Sequence, residues 1–232
     1  RIMSLAQQFA AYAEWRSQLG LRLDALRTWL GDNDLNDAQS ELRLTQLAER
    51  LREDRLHVAF VAEFSRGKSE LINAIFFADY GNRMLPSSAG RTTMCPTELM
   101  YDPNKAPCVE LLPIETRANN ASVSEYKRFP DEWESVPLAV DSAEAMQETL
   151  RHVSEVTRVD RATAENLGFA VDDDSLEAFH TGDDGLVEVP RWRHAIINFP
   201  HPLLKQGLVI LDTPGLNAIG TEPELTLSLL PN

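Results

Sequence analysis

Long hydrophobic runs are missing from this chain of 232 residues. No stretch approaches the roughly 20 consecutive apolar residues that a membrane-spanning helix needs, and no signal peptide is visible. Cysteine is also scarce, because Cys95 and Cys108 are the only two, too few for a disulfide framework or a metal-binding cysteine cluster. Free thiols are typical of a reducing compartment, so we expect a cytoplasmic protein.

Basic residues are too few to balance the acidic ones. Lysine and arginine number 22 against 36 aspartates and glutamates, which gives a formal net charge of −14 at pH 7. This balance argues against nucleic acid as the main partner and against a broadly cationic membrane-binding face. The five histidines include no pair at metal-ligand spacing. With 43% hydrophobic residues, the chain can bury a sizeable core as one or two domains.

Residues 58–76 predict a buried strand, a tight loop and the start of a helix. Within them, AEFSRGKS at 62–69 fits the phosphate-binding pattern GxxxxGK[ST], with Ala62 in place of the first glycine. Backbone N–H groups of such a loop and the positive end of the helix bind phosphate oxygens. Lys68 would reach the outer phosphates, and the Ser69 hydroxyl would bind Mg²⁺. A G-K-S tripeptide alone would mean little, but the flanking strand and helix favour a nucleotide site.

A second apolar strand is predicted at 207–215, GLVILDTPG, and it ends in an acidic residue. In nucleotide-binding sheets an aspartate at such a strand end holds Mg²⁺, directly or through water, which nominates Asp212. Gly215 offers a backbone N–H for a γ-phosphate. The alternative is an ordinary Asp-Thr-Pro-Gly turn. Between the two motifs, LPSSAGRTTMCPT at 85–97 is either turn chemistry or a nucleotide-sensing loop that contributes a threonine.

Three blocks of the sequence, EFSRGKSELINAIF, RTTMCPTEL and LVILDTPGL, resemble the GTPase domain of dynamin-like proteins, particularly the bacterial ones. The similarity runs in order over about residues 55–220. It implies an α/β fold of the P-loop NTPase (dynamin-type GTPase) class, with a sheet and flanking helices, preceded by an α-helical hairpin. It also implies Mg²⁺-dependent binding and hydrolysis of GTP.

The resemblance implies a catalytic set around the phosphates. Lys68 would bind the phosphates, and Thr93 would close its loop over Mg²⁺ and the γ-phosphate. Ser65 matches the position that helps organise a charge-compensating cation. Arg66 is a candidate for assisting hydrolysis in cis or across a dimer. The residues assigned to nucleotide binding are Ala62, Glu63, Phe64, Ser65, Arg66, Gly67, Lys68, Ser69, Glu70, Asp212 and Gly215.

The same resemblance implies the metal ligands. Ser69 and Thr93 would bind Mg²⁺, and Asp212 would hold it through water. Gly215 would sense the γ-phosphate. The cofactor is therefore expected to be Mg²⁺, with GTP as the substrate.

Some residues depart from the family pattern and motivate alternative functions. Ala62 replaces a glycine, and Phe64 stands where a polar residue orients the attacking water, which phenylalanine cannot do by hydrogen bonding. A nucleotide-binding scaffold with little or no hydrolysis is therefore one alternative. A monomeric regulatory GTPase without a membrane role is another. A guanine-recognition motif of the Asn/Thr-Lys-x-Asp type is missing, since Asn104-Lys105 lies too early, and we expect the chain to be part of a longer protein.

The chain is predicted to have two domains. Apolar residues recur at four-three spacing from Leu5 to Leu30, and a second such helix follows the break at 31–34, so that residues 1–54 form a helical hairpin. The hairpin either packs on the GTPase domain or belongs to a stalk or neck bundle, which the resemblance favours. Residues 55–232 form the GTPase domain, C-terminally incomplete and with a long insertion at about 115–190.

Within the less regular middle of the chain, three elements are predicted. Residues 109–112 and 195–199 are expected to be strands, and residues 142–159 a helix capped by Asp141 or Ser142. The expected partners are GTP and GDP, a second copy through the GTPase domain, and a membrane through segments outside this chain. Loop switching would then drive dimerisation and membrane remodelling by a cytoplasmic, peripherally membrane-associated protein.

Overall fold

A computed structural model describes residues 5–52, 55–60, 67–86, 95–169 and 184–212. The α-helices in these ranges are α1 (Leu5–Asp32), α2 (Ala38–Arg52), α3 (Lys68–Phe76), α4 (Val123–Tyr126), α5 (Ala143–Leu150), α6 (Arg161–Asn166) and α7 (Pro202–Lys205). The strands are β1 (Leu56–Phe60), β2 (Thr97–Met100), β3 (Cys108–Pro113), β4 (Glu134–Pro137), β5 (Val156–Val159), β6 (Val187–Pro190), β7 (Trp192–Asn198) and β8 (Leu208–Asp212). The predicted α/β class and the preceding helical hairpin are confirmed.

The chain divides into two compact units, Arg1–Leu56 with Gln206–Leu208, and His57–Lys205 with Val209–Asn232. In the first unit, α1 and α2 form an antiparallel hairpin around a short turn. The Asp37 carboxylate caps α2 by accepting a hydrogen bond from the Ser40 amide at 2.8 Å, which satisfies an otherwise unpaired N–H of the first turn. Glu41 joins the helices, because its carboxylate binds the Arg27 guanidinium and accepts a hydrogen bond from Asn36.

The apolar seam of α1 is only partly covered by α2. Tyr12 and Leu26 on that seam remain 43% and 45% exposed, and Trp15 and Trp29 are exposed as well. Arg16, the one polar residue in the seam, is nevertheless buried, with its guanidinium 5.6 Å from the centre of the Tyr12 ring. A long arginine can bury its stem and stack its planar head on an aromatic ring, so it does not interrupt the seam.

A six-stranded sheet forms the second unit's core, in the order β1-β8-β2-β7-β3-β4. Strand β2 pairs in parallel with β7 and antiparallel with β8, and β3 pairs antiparallel with β7 and with β4. The central strands are buried at every position of β2, β7 and β8, as expected for apolar runs covered on both faces. The predicted strands at 109–112 and 195–199 correspond to β3 and β7.

Strand pairing assigns the side chains to two faces. Thr97 lies opposite Asp212, and Glu98 lies opposite Leu211 in the antiparallel β2–β8 pair. Because side chains alternate along a strand, Asp212 and Glu98 project from opposite faces of the sheet. These two acidic residues are both buried.

The helix predicted at 142–159 is shorter than expected. Helix α5 ends at Leu150, a 3₁₀ turn covers Arg151–Ser154, and Val156–Val159 is strand β5. The Ser142 hydroxyl caps α5 as predicted, accepting a hydrogen bond from the Ala145 amide at 3.2 Å. Strand β5 pairs with β6 in a separate two-stranded sheet, and β6 and α6 share a small core whose members are Ile114, Ala164, Leu167, Phe169, Val187 and Val189. The β-branched residues of β5 fit either period over so short a run, and pairing with β6 decides the outcome.

Candidate functional site

Helix α3 begins directly at the predicted phosphate-binding motif. Its N-cap is Gly67, which has φ 77° in the left-handed region, where any residue with a Cβ would be strained. As a glycine, Gly67 has no side chain that could cap the first amide N–H groups of the helix. An uncapped helix N-terminus with a positive dipole is suited to bind an anion such as a phosphate.

Ser69 in the first turn of α3 meets Asp212 at the end of β8. The Ser69 hydroxyl donates a hydrogen bond to Oδ2 of Asp212 at 3.1 Å, although the residues are 143 positions apart in sequence. The Asp212 side chain is almost fully buried, with 2% of its surface exposed. The structure therefore brings together two of the three residues that the sequence nominated as metal ligands.

The chain leading into β2 is buried beside this pair. Burial raises the pKa of the Cys95 thiol to about 12, and the charge of Asp212 adds to the increase. The Thr97 hydroxyl, opposite Asp212, donates a hydrogen bond to the Cys95 carbonyl at 3.1 Å. The Cys95 thiol in turn contacts the Val153 carbonyl at 3.5 Å. Cys95 is thus a neutral core residue.

Other predicted site residues are placed only in part. Gly67, Lys68 and Glu70 lie in the loop end and first turn of α3. The Lys68 side chain is outside the described part of the structure, as are Ala62, Glu63, Phe64, Ser65, Arg66, Thr93 and Gly215. Glu70 forms an ion pair with Arg83, a partner that its position in the motif did not predict.

Asn73, which the sequence reading did not single out, holds the chain after α3 against that helix. Its Oδ1 accepts hydrogen bonds from the amides of Met84 and Leu85 at 3.0 and 2.8 Å. Its Nδ2 donates to the Leu85 carbonyl at 3.1 Å. A polar residue amid the apolar positions Ile72 and Phe76 was the available signal, because buried asparagine requires partners.

A second buried polar group lies on the other face of the sheet. Glu98 on β2 binds Nε2 of His194 on β7 at 2.7 Å and the Lys127 ammonium at 2.7 Å. Burial alone would raise the pKa of Glu98, but the His194 hydrogen bond and the charges of His194 and Lys127 outweigh it and lower the pKa to about 2. Trp133 closes this face with its ring edge-on to His194.

The Ser69–Asp212 pair suits a hard divalent cation. Mg²⁺ prefers oxygen ligands and is usually bound by one or two protein groups together with substrate phosphates and water. A hydroxyl and a buried carboxylate 3.1 Å apart, beside an uncapped helix N-terminus, provide that donor set. Within the described ranges, no cluster of three or more His, Cys, Asp or Glu residues could hold a metal ion by itself.

A helix N-terminus beside an aspartate at the end of a buried strand is typical of nucleotide-binding α/β proteins. A model of the "Dynamin family" matches residues 58–232. The chain therefore belongs to the dynamin family.

Individual relatives are more distant. A bacterial dynamin-like protein of Nostoc punctiforme is 21% identical over 235 residues, which cover 97% of this chain and 27% of the relative. The chain thus spans about a quarter of the length of the curated relative it matches.

Two solved chains are also similar, both described as belonging to an oligomerised bacterial dynamin pair that senses and tethers membranes over long range. The first is 17% identical with a TM-score of 0.39, covering 98% of this chain and 28% of that one. The second is 16% identical with a TM-score of 0.37, covering 98% and 32%. Of the helices that the structure describes here, none has the length and apolar character to cross a bilayer.

Proposed function

We propose that the protein is a Mg²⁺-dependent GTPase whose phosphate and metal site is formed by the first turn of α3 and the end of β8. The single observation that carries the proposal is the hydrogen bond between Ser69 and Asp212, which lie 143 positions apart in sequence. This contact brings the first turn of α3 to the end of β8, which is the arrangement that the motif requires. Membership in the dynamin family supplies GTP as the substrate class.

The residues of this site would divide the work between binding and charge neutralisation. The N-terminus of α3 and its Lys68 would hold the phosphates, and the Ser69 hydroxyl with the Asp212 carboxylate would hold Mg²⁺. A bound Mg²⁺ would supply positive charge at the β- and γ-phosphate oxygens. Thr93 would complete the metal ligands and Gly215 would contact the γ-phosphate, with Ser65 and Arg66 assisting hydrolysis.

Nucleotide binding by the full-length protein tests the proposal. Fluorescent non-hydrolysable analogues of GTP and ATP are titrated in Mg²⁺ and in EDTA. We expect selective binding of the GTP analogue, strengthened by Mg²⁺. Ser69→Ala should abolish most of the strengthening. Lys68→Ala should weaken binding in both conditions by about 10- to 100-fold, because a hydrogen bond to a charged group contributes about 1.5–3 kcal/mol. Equal affinity in Mg²⁺ and EDTA would refute a metal site at Ser69 and Asp212.

A second candidate function is a nucleotide-binding scaffold that hydrolyses slowly, motivated by Ala62 and Phe64 in the loop. Single-turnover hydrolysis of GTP separates the two functions. Binding without turnover over hours would favour the scaffold, whereas turnover that depends on Lys68 and Mg²⁺ would favour the enzyme.

The wider activity follows from family membership and is part of the proposal. Self-association through the GTPase domain, with membrane remodelling by a cytoplasmic protein that associates peripherally with membranes, fits a dynamin-family member. The exposed aromatic residues of the hairpin, Trp15 and Trp29, are consistent with a stalk or neck bundle completed by further helices. Liposome co-sedimentation of the full-length protein with and without GTP would test the membrane role, and its failure would favour a monomeric regulatory GTPase.

A further inference from the structure

The chain at Arg83–Leu85 is tied to α3 by two side chains that follow Ser69 on the same helix. Glu70 pairs with Arg83, and Asn73 binds the backbone of Met84 and Leu85 through three hydrogen bonds. We call this group of contacts the α3 clamp. Residues three or four apart share a helix face, so Asn73 lies directly one turn beyond Ser69.

The Asn73 amide satisfies groups that water cannot reach. Met84 and Leu85 are each 1% exposed, and Asn73 is buried as well. Buried backbone N–H and C=O groups need a partner, and here the asparagine provides all three hydrogen bonds. Removing its side chain would leave these groups unpaired and free the segment from the helix.

The first turn of α3 needs such external support. Its N-cap is a left-handed glycine, which has no side chain of its own and so cannot give the stabilisation that a capping side chain provides. Other contacts must therefore fix the position of Ser69. The α3 clamp can do so because its segment is also held by α5, where Gln147 donates a hydrogen bond to the Arg83 carbonyl at 2.7 Å.

We propose that Asn73 is a positioning residue for metal binding, holding the first turn of α3 so that the Ser69 hydroxyl faces Asp212. This inference rests on the proposed function of the Ser69–Asp212 pair. Asn73 would act through the orientation of the helix, because its side-chain hydrogen bonds go to the backbone of Met84 and Leu85. Glu70 contributes to the same positioning, because its ion pair with Arg83 holds the segment at a second point nearer the start of α3.

A purely structural role is the competing explanation, and the chain contains a matched control for it. Asn198 at the end of β7 is also buried and also holds a segment of backbone by hydrogen bonds. Its Oδ1 accepts a hydrogen bond from the Asp102 amide at 2.8 Å, and its Nδ2 donates to the carbonyls of Lys105 and Ala106, both at 3.2 Å. This segment lies between β2 and β3, and Asn198 contacts neither Ser69 nor Asp212 through these bonds.

The experiment compares Asn73→Ala with Asn198→Ala in the full-length protein. A fluorescent non-hydrolysable GTP analogue is titrated in Mg²⁺ and in EDTA, and the ratio of the two Kd values gives the strengthening by Mg²⁺. Both variants should lose thermal stability. Only Asn73→Ala should lower the ratio, by about 10-fold, the effect typical of groups that orient metal ligands. Equal ratios in the two variants would overturn the positioning role.

A second pair of variants applies if Asn73→Ala does not fold. Arg83→Gln removes a half-exposed ion pair from the clamp, and Arg158→Gln removes a similarly exposed pair with Asp184 from the β5–β6 sheet. We expect Arg83→Gln alone to lower the Mg²⁺ ratio, by about 3-fold, because a half-exposed ion pair contributes less than about 1 kcal/mol. No difference between them overturns the inference. A wild-type protein without Mg²⁺ strengthening would instead refute the proposed function itself.

Discussion

Glu98 and Asp212 are two buried carboxylates on adjacent strands, and their side chains have different partners. Glu98 lies between His194 and Lys127, both of which can carry positive charge. Asp212 receives a hydrogen bond from the neutral hydroxyl of Ser69 at the start of a helix. The first carboxylate is neutralised by side chains from the same sheet and its cover, whereas the second shares its site with a group that is itself a metal ligand by chemical type.

The different partners of Glu98 and Asp212 suggest different roles: one face of the sheet holds a charge pair that stabilises the fold, and the other holds the proposed metal site. An internally paired charge stabilises the fold only while both partners remain, because breaking a buried pair leaves an uncompensated charge. A carboxylate kept for an external cation contributes little to the apo fold, and its removal can even stabilise the protein. Substitutions at the two positions should therefore have opposite consequences for binding and for stability.

The largest effect is expected for Asp212→Asn on hydrolysis. Loss of the carboxylate should lower kcat/KM for GTP by about 100- to 1,000-fold, as for removal of a group that stabilises transition-state charge. The free energy of unfolding without nucleotide should change by less than about 1 kcal/mol. Steady-state kinetics and urea unfolding of the same preparation measure both quantities. A variant with normal kcat/KM would remove Asp212 from the site.

Glu98→Gln should show the converse. We expect the free energy of unfolding to fall by about 3 kcal/mol, because His194 and Lys127 lose the carboxylate that holds them. Mg²⁺-dependent GTP binding should persist at temperatures where the variant is folded. Urea unfolding at pH 7 gives the first quantity, with Glu148→Gln as a control in an exposed ion pair, where the change should stay within about 0.5 kcal/mol.

The Glu98 contribution should also depend on pH. Its pKa is held at about 2 in the folded protein, below its ordinary value of 4.5. A carboxyl whose pKa is lowered by folding stabilises the protein above its unfolded pKa and loses that contribution as pH falls through the folded pKa. The stability difference between wild type and Glu98→Gln should therefore shrink between pH 4.5 and pH 2. A difference that stays constant over that range would contradict the pairing.

Lys127→Met is expected to have the smallest effect. The Lys127 side chain is 40% exposed, so its attraction to Glu98 is screened by water. We expect a loss of about 0.5–1 kcal/mol in the free energy of unfolding, which falls further in high salt. A loss as large as that of Glu98→Gln would mean that Lys127, and not His194, is the main partner of the carboxylate.

Motif spacing was enough to predict that Ser69 and Asp212 lie close together. The apolar run before the loop, the G-K-S tripeptide and the apolar strand ending in Asp212 place hydroxyl and carboxylate together in any sheet of this kind. The helical hairpin followed from its four-three spacing, and the strands β3 and β7 from their apolar runs.

The contacts of Glu98 with His194 and Lys127 could not be predicted in the same way. Glu98, Lys127 and His194 belong to no local motif and meet only through strand pairing and the cover of the sheet. Asn73 was hidden for a similar reason, since its partners follow the helix at a distance that the spacing does not specify. The helix predicted at 142–159 was too long, because Val156 and Val159 continue the apolar spacing of the helix in the sequence. In the structure these residues form β5, which pairs with β6.

The antiparallel register of β2 and β8 is one in which a slip of one residue would be unfavourable. A slip of one residue exchanges the faces of every side chain on the slipped strand. Slipping β2 would turn Glu98 toward the face of Asp212, leaving His194 without its carboxylate and setting two acids on the same side. The misregistered sheet would lose the contacts of Glu98 with His194 and Lys127 and gain a repulsion between two carboxylates. The contacts of Glu98 with His194 and Lys127 thus favour the register in which Glu98 and Asp212 lie on opposite faces of the sheet.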